Sequence, residues 1–280
     1  GSNFIEYMKT RATGTYELDT VLDSGAVVTS TVPCYGAFTM GSADGTVALM
    51  DFLKTQPLQI KMIGVGVTEA GLANSQTQAM QALFRLLEYF RSHNFHTSEL
   101  CVVNMDNVPG NGSTMLSHML DLCGTDQIEM RSYLENRVVF CNTMVDRITS
   151  QRDGSDGLVP RCEPLPKKSL IILDPEQRLP EAFQSLVDFG VIVRSTAEQL
   201  EADIGLKLRV ANGTHTALAQ CMALMAILST DVLAEDGLLM DYLDSLFESQ
   251  ILPGSSFGIT ETETVYEEWR SRLTHPHFGL

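Results

Sequence analysis

Two short runs of almost uninterrupted apolar residues constrain the fold of this 280-residue chain more than any other feature. Residues 63–67 read I-G-V-G-V inside a longer apolar segment, and residues 100–105 read L-C-V-V-N-M. Strands that are apolar on both faces are typical of parallel sheets, because helices cover such a sheet on each side. Successive parallel strands need a crossover connection, so the chain is expected to alternate strands with helices.

The hydrophobic pattern of the first 200 residues agrees with this alternation. Strands are predicted at 26–32, 58–67, 100–105, 138–141, 170–173 and 191–193, and helices at 45–53, 75–93, from 112 and at 128–136. Residues 151–168 have the composition of a linker. From residue 196 the pattern is helical, with an apolar stretch at 206–228 and an amphipathic one at 232–252. The sequence therefore predicts an α/β layer architecture that changes to all-α near residue 200.

Charge and cysteine content narrow the class of protein. The net charge of -16 and the pI near 4.7 argue against nucleic acids and anionic membrane surfaces as partners, because both require concentrated Lys and Arg. No apolar run is long enough to span a bilayer and the first residues do not resemble a signal peptide, so a cytoplasmic location is expected. The six cysteines contain no C-x-x-C pair and are predicted to be buried free thiols.

Three polar stretches follow predicted strands, at 68–71, 106–112 and 142–148. In doubly wound sheets, ligands bind beyond the carboxyl ends of the strands, so these stretches are candidates for a site. Turn chemistry is the alternative, because Asn, Asp, Gly and Pro end strands in many proteins. Asp146 and Arg147 can likewise form an ordinary surface ion pair.

A fourth candidate is the run K-L-R-V-A-N-G-T-H at residues 207–215. On an α-helix that advances about 100° per residue, Asn212 lies about 140° and His215 about 80° from Lys207. An amine, an amide and an imidazole on one half of a helix, in an apolar setting, can together remove a proton from an alcohol. Chance is the alternative, since three such residues often share half of a helix.

Together these segments resemble the mannitol dehydrogenase family, the polyol-specific long-chain dehydrogenases that include fructuronate and tagaturonate reductases. The segments that carry the resemblance are V-T-E-A-G at 67–71, M-D-N-V-P-G-N-G at 105–112, F-C-N-T-M-V-D-R-I at 140–148, E-P at 163–164, I-I-L-D at 171–174, the run at 207–215 and R-L-T-H-P at 272–276. They occur in the order in which the family has them.

The resemblance implies an incomplete Rossmann-like doubly wound sheet in residues 1–200, a dinucleotide-binding domain without its first β-α-β unit. A helical substrate domain over 201–280 is expected to follow, so that the chain is shortened at both ends relative to the family. No segment resembles the family's glycine-rich phosphate loop. Ile204 stands three residues before Lys207, where mannitol dehydrogenases have a Glu, and Asp203 is its neighbour.

The activity implied by the resemblance is hydride transfer between a nicotinamide cofactor and a polyol or sugar acid, giving a ketose or keto-acid, without a metal. NAD is the expected cofactor, with NADP as the alternative. Lys207 is then the general acid/base, since burial makes an amine easier to deprotonate. The implied catalytic residues are Lys207, Asn142, Asn212 and His215; the cofactor-binding residues are Thr68, Glu69 and Asn107; the substrate-binding residues are Asn142, Asp146, Arg147 and His215.

The sequence is also compatible with two other interpretations. The chain could be a non-catalytic remnant of the family that binds a partner or a sugar ligand without turnover. Metal binding is the third option, but the His pairs at 93 and 96 and at 275 and 277 have no Cys or carboxylate partner at a recognised spacing. A monomer or a weak homo-oligomer is expected.

Overall fold

The computed structural model describes residues 5, 6, 8, 14–55, 60–93, 99–152, 158–164, 166–235 and 237–275. Contacts within the chain group it into two compact units. The α/β unit consists of Gly1–Leu18, Thr31–Pro160 and Leu165–Leu200, and the helical unit of Asp19–Ser30, Arg161–Pro164 and Glu201–Leu280. The division at residue 200 that the sequence predicts stays a prediction, and the central residues of the predicted linker, 153–157, lie outside the described residues.

The described elements alternate as the hydrophobic pattern predicts, with additional short strands. The strands are β1 (Thr15–Val21), β2 (Val27–Pro33), β3 (Met62–Val65), β4 (Leu100–Asn104), β5 (Val138–Cys141), β6 (Thr143–Val145), β7 (Thr149–Gln151), β8 (Pro160–Cys162), β9 (Leu170–Leu173) and β10 (Val191–Arg194). The α-helices are α1 (Ala43–Thr55), α2 (Gln78–His93), α3 (Asn111–Cys123), α4 (Ile128–Asn136), α5 (Ala197–Leu206), α6 (Gly213–Leu224), α7 (Gly237–Leu246), α8 (Leu252–Gly254) and α9 (Ile259–Leu273). The 3-10 helices are Glu181–Phe189 and Thr230–Ala234, and the π-helical turns are Lys207–Asn212 and Phe247–Ile251.

The parallel sheet has the order β3-β4-β5, and both of its strand pairs are parallel. Leu100 and Val102 point into a core formed with α2, α3 and α4, whereas Cys101 and Val103 point into a second core that contains Ile172. Both faces of β4 are therefore buried, which explains its uninterrupted apolar sequence. The predicted Rossmann-like parallel sheet with helices, followed by a helical region, is confirmed.

A second sheet has the order β10-β9-β6, with β9 and β10 parallel and β6 antiparallel to β9. The sequence places no strand at β6, because three residues are too few for a period-2 pattern to be recognised. Asn142 is the one residue between β5 and β6, so it joins the parallel sheet to the second sheet. Its carbonyl oxygen accepts a hydrogen bond of 2.9 Å from the backbone N–H of Leu173.

A third sheet, of order β2-β1-β8-β7, is absent from the sequence-based prediction. In its parallel β1–β8 pair, Asp19 is opposite Arg161 and Thr20 is opposite Cys162. Asp19 is buried and forms an ion pair of 3.6 Å with Arg161, so polar residues occupy inward positions where the pattern of a strand would be apolar. The prediction of a linker at 151–168 is therefore wrong for residues 160–162.

The helical unit differs from the predicted pair of long helices. The predicted helix at 206–228 is interrupted by the first π-helical turn and ends at Leu224. The second π-helical turn follows α7, and Leu206, Val210, Phe247 and Tyr266 form a common core that includes residues of both π-helical turns. Among the described residues, no helix combines the length and the apolar character that crossing a lipid bilayer requires.

Candidate functional site

The loop after β3 carries Thr68 and Glu69. The carbonyl oxygen of Thr68 accepts hydrogen bonds from the backbone N–H groups of Gly71 (2.9 Å) and Leu72 (3.2 Å), which makes the loop a tight turn. Nε2 of His118 lies 2.8 Å from the carbonyl oxygen of Leu72 and ties this turn to α3. The side chains of Thr68 and Glu69 are exposed, and neither has a hydrogen bond or an ion pair within the described part of the chain. The turn thus presents a hydroxyl and a carboxylate to solvent.

The loop after β4 is held by the side chain of Asn107. Its Oδ1 accepts a hydrogen bond of 2.9 Å from the backbone N–H of Val145 in β6, and its own backbone N–H donates to Oδ1 of Asp106 at 2.7 Å. Asn107 is otherwise exposed. The amide oxygen is therefore engaged in structure, and Nδ2 is the polar atom that remains to contact a ligand.

Asn111 is a buried structural residue that sequence reasoning did not single out. Its Nδ2 donates to Oγ1 of Thr143 at 2.9 Å, and its Oδ1 accepts from the backbone N–H of Thr143 at 3.0 Å. The Thr143 hydroxyl donates in turn to the carbonyl oxygen of Asn104 at 2.7 Å. These bonds join the end of β4 and the start of β6 to the start of α3. The Asn-Gly pair at residues 111–112 is the sequence feature that could have pointed to this structural role.

Asn142 is oriented by the first turn of α3. Its Oδ1 accepts a hydrogen bond of 3.0 Å from the backbone N–H of Ser113, and its Nδ2 donates to the Ser113 hydroxyl at 3.1 Å. Gly112 lets α3 approach this closely, because a Cβ at that position would lie 2.6 Å from the backbone N of Asn142. With Oδ1 bound to the helix, the second hydrogen of Nδ2 is the group that Asn142 offers to a ligand.

Asp146 and Arg147 lie in the connection between β6 and β7, and both are half-buried. The backbone N–H of Asp146 donates to the carbonyl oxygen of Ser169 at 3.0 Å, which fixes the start of this connection. Their predicted role in binding a substrate stays a prediction.

The run at 207–215 does not form a regular α-helix. The backbone N–H of Gly213 donates to the carbonyl oxygen of Leu208, five residues earlier, as a π-helix requires. A π turn is wider than an α turn, so the angle between Lys207 and Asn212 is smaller than the 140° expected for an α-helix. Lys207 is half-buried, whereas Asn212 and His215 are exposed. Single π turns occur frequently at functional sites.

A contact network begins at His215 and ends at a buried carboxylate. The imidazole of His215 stacks on the indole of Trp269, with 5.3 Å between ring centroids and 25° between planes. The guanidinium of Arg272 lies 5.8 Å from the centroid of the Trp269 ring. It donates from Nε and Nη2 to the carboxylate of Glu163, at 2.8 and 2.6 Å. The sequence does not reveal this network, because local periodicity does not show contacts between residues that are distant in the chain.

The structure divides the predicted site residues between the two units. The helical unit carries Lys207, Asn212 and His215, and the α/β unit carries Thr68, Glu69, Asn107, Asn142, Asp146 and Arg147. Within the described residues, no group of three or more His, Cys, Asp or Glu side chains is placed to hold a metal ion.

Comparison with known proteins decides the family. Residues 5–172 match the family model of the mannitol dehydrogenase Rossmann domain. The chain belongs to the mannitol dehydrogenase family. This match covers more than half of the chain, and the predicted resemblance is thereby confirmed. Mannitol 2-dehydrogenase of Cereibacter sphaeroides is 29% identical in an alignment of 163 residues that covers 54% of this chain and 32% of that protein.

Two solved structures of polyol dehydrogenases have the same fold. D-sorbitol dehydrogenase in a substrate-free form matches with a TM-score of 0.74 and 18% identity, over 99% of this chain and 62% of that one. Mannitol 2-dehydrogenase of Pseudomonas fluorescens, in a ternary complex with NAD and D-mannitol, matches with a TM-score of 0.69 and 17% identity, over 97% of this chain and 59% of that one. This member of the mannitol dehydrogenase family thus spans about a third of the curated relative and about three fifths of the two solved structures.

Proposed function

We propose that this chain belongs to an NAD(P)-dependent polyol dehydrogenase, which interconverts a sugar alcohol and a ketose, or a sugar acid and its keto-acid. Family membership supports the reaction class. The observation that carries the proposal is the π-helical turn over Lys207–Asn212, because an energetically unfavourable turn coincides with the amine and the amide that the reaction needs.

Lys207 is the proposed general acid/base. Oxidation of a secondary alcohol requires that the hydroxyl proton be accepted as the carbonyl forms, and a half-buried amine beside the substrate can accept it. In the reverse reaction the ammonium returns the proton to the carbonyl oxygen. Asp203 is buried and lies four residues before Lys207, about one helical turn away, so it is the acidic residue nearest to Lys207 along the chain and is proposed to pass the proton onward.

The amides and the imidazole are proposed to bind the substrate. Asn142 and Asn212 donate hydrogen bonds to the oxygen on which negative charge develops, and each such donor lowers the barrier by about 3 kcal/mol in related chemistry. His215 holds a neighbouring hydroxyl and so orients the sugar chain. Asp146 and Arg147 are proposed to bind more distant hydroxyl groups, or the carboxylate of a sugar acid.

The described residues fit one part of a nicotinamide dinucleotide. A Cβ at Gly66 or at Gly110 would meet nothing within 4 Å, so the backbone is open just after β3 and just before α3. The loops that contain these two glycines also carry Thr68, Glu69 and Asn107. These three residues are proposed to hold the nicotinamide half. The cofactor, when bound, supplies the hydride acceptor.

Calorimetric titration of NADH into the purified chain, followed by turnover assays with mannitol, sorbitol, fructose and fructuronate, tests the proposal. Dissociation in the micromolar range with turnover by at least one of these compounds is expected. Lys207→Ala should then lower kcat by about 100-fold or more, whereas Lys61→Ala, which removes an exposed lysine elsewhere, should leave kcat unchanged. Equal losses in the two variants would refute the role of Lys207.

A second candidate function is binding of a sugar ligand or a protein partner without turnover. NADH that fails to bind at millimolar concentration, together with calorimetric binding of a polyol alone, would support this candidate and overturn the dehydrogenase.

A further inference from the structure

The orientation of His215 depends on a single contact in the described structure. The residue is exposed on α6, and neither of its ring nitrogens has a hydrogen-bond partner among the described residues. Its ring stacks on the indole of Trp269. An exposed imidazole without hydrogen bonds has several rotamers of similar energy, so the aromatic contact selects among them.

The side chain of Trp269, in contrast, is fixed by burial and by a charged neighbour. It lies on α9 with 7% of its surface exposed. The guanidinium of Arg272, one turn later on the same helix, lies against its ring, and the carboxylate of Glu163 fixes that guanidinium through two hydrogen bonds. Glu163 itself is 3% exposed, so the position of the indole is set by buried and charged groups and not by solvent.

We infer that Trp269 is a positioning residue, whose indole holds the imidazole of His215 in the orientation that binds a hydroxyl of the polyol. This inference rests on the proposed function for the role of His215, but the stacking itself does not. Arg272 and Glu163 act one step further away, by fixing the indole plane.

The positioning role of Trp269 depends on its aromatic ring and does not require its Nε1 atom. Its Nε1 is buried and has no hydrogen-bond partner in the described part of the chain. A buried N–H without a partner is unfavourable, so removing it costs no hydrogen bond. Trp269→Phe therefore keeps an aromatic surface and loses only area, whereas Trp269→Ala removes the surface on which His215 stacks.

Nuclear magnetic resonance of the chain labelled in its six histidines tests the stacking directly. Because an aromatic ring shifts the protons above its face to higher field, the His215 ring protons should be shifted upfield in the wild type, and His215→Gln identifies their signal. The shift should persist in reduced form in Trp269→Phe and disappear in Trp269→Ala.

A matched control separates this effect from loss of packing. Phe247 stacks on Tyr266, which lies one turn before Trp269 on α9, with 3.9 Å between ring centroids. Phe247→Ala therefore removes a stacked aromatic pair from the same helix without touching His215. Both Phe247→Ala and Trp269→Ala should lower the melting temperature, but Phe247→Ala should leave the His215 signal in place.

Steady-state kinetics then test the consequence for the substrate. Trp269→Ala should raise KM for the polyol about threefold to tenfold with little change in kcat, because an orienting hydrogen bond contributes to ground state and transition state alike. Trp269→Phe should restore KM to within about twofold of the wild type.

An unchanged His215 signal in Trp269→Ala, or the same change in Phe247→Ala, would overturn the stacking and with it the inference. A fall in kcat at constant KM, or a Trp269→Phe variant as impaired as Trp269→Ala, would overturn the positioning role. If no polyol is turned over, the proposed function fails, while the resonance experiment still decides whether Trp269 orients His215.

Discussion

The carboxylate of Glu163 accepts two hydrogen bonds, of 2.8 and 2.6 Å, from the guanidinium of Arg272, which lies 109 residues later in the chain. Both side chains are largely removed from water, with 4% of Glu163 and 13% of Arg272 exposed. A buried pair of this kind adds little net stability when intact but is costly to break, because the remaining charge stays buried. The pair thus fixes α9 to the segment that follows β8.

Arg272→Met is therefore expected to destabilise the protein by about 3 to 5 kcal/mol. The matched control is Arg91→Met, since Arg91 forms a 2.9 Å ion pair with Glu129, a residue whose side chain is 87% exposed. Arg91→Met should lower the free energy of unfolding by no more than about 1 kcal/mol. Urea unfolding followed by circular dichroism measures both. Similar small losses in the two variants would show that the Glu163 pair is not buried in solution.

Gly112→Ala is expected to destabilise the protein by about 1 to 3 kcal/mol, because the added methyl group overlaps the backbone at Cys141 and Asn142 and α3 must move away. Gly237→Ala is the control, since a Cβ there meets nothing within 4 Å. It should be neutral or slightly stabilising, because alanine favours a helix. Thermal unfolding compares the two, and equal melting temperatures would contradict the close approach of α3.

The thiols should differ in reactivity according to burial. Burial raises the pKa of Cys101 and of Cys141 to about 12, so neither forms a thiolate at neutral pH. Cys34 and Cys221 are half-exposed. Iodoacetamide at pH 8 should therefore label Cys34 and Cys221 in the native protein, and Cys101 and Cys141 only after unfolding. Peptide mass spectrometry reads the sites, and early labelling of Cys101 would contradict this ranking.

The ion pair of Asp244 and Arg270 predicts a pH dependence of stability. Hydrogen bonds from Arg270 hold the pKa of Asp244 below its ordinary value of 3.8. The carboxylate therefore stabilises the folded state above about pH 4, and this contribution is lost as the pH falls through the lowered pKa. Because 40% of Arg270 is exposed, solvent screens the pair, and a contribution of about 1 kcal/mol is expected.

Asp244→Asn should accordingly lower the free energy of unfolding by about 1 kcal/mol at pH 7 and by progressively less below pH 4. Urea unfolding of wild type and variant across this range measures the difference. A difference that does not change with pH would show that the loss arises from the hydrogen bond that the Tyr266 hydroxyl donates to Asp244, at 2.8 Å, and not from the charge of Asp244.

The parallel core was predictable because a strand that is buried on both faces has an almost uninterrupted apolar sequence. The helix at 128–136 and the strand at 138–141 agree with α4 and β5 to the residue. The strand pair β1–β8 was not predictable. Asp19 and Arg161 lie opposite each other and form an ion pair, so these strands lack the alternation of apolar and polar residues that identifies a strand in a sequence.

The candidate site was predictable in its residue types more than in its geometry. The resemblance gave Lys207, Asn212 and His215, but an angle of 100° per residue presupposes an α-helix, which the π turn replaces. The support of His215 by Trp269 could not be foreseen, because stacking between residues on different helices depends on tertiary packing and not on local spacing.

The π turn at Lys207–Asn212 also has a consequence for insertions and deletions. One extra residue in a turn rotates everything that follows by about 100° relative to an uninterrupted α-helix. Winding the same residues into a regular α-helix would therefore turn Leu218 and Met222, which are buried on α6, toward solvent, whereas deleting one residue between Lys207 and Asn212 would restore an α-helix and leave both residues buried. The π turn thus keeps the packed face of α6 buried despite the extra residue, and we expect the turn to be lost only together with one residue of the chain.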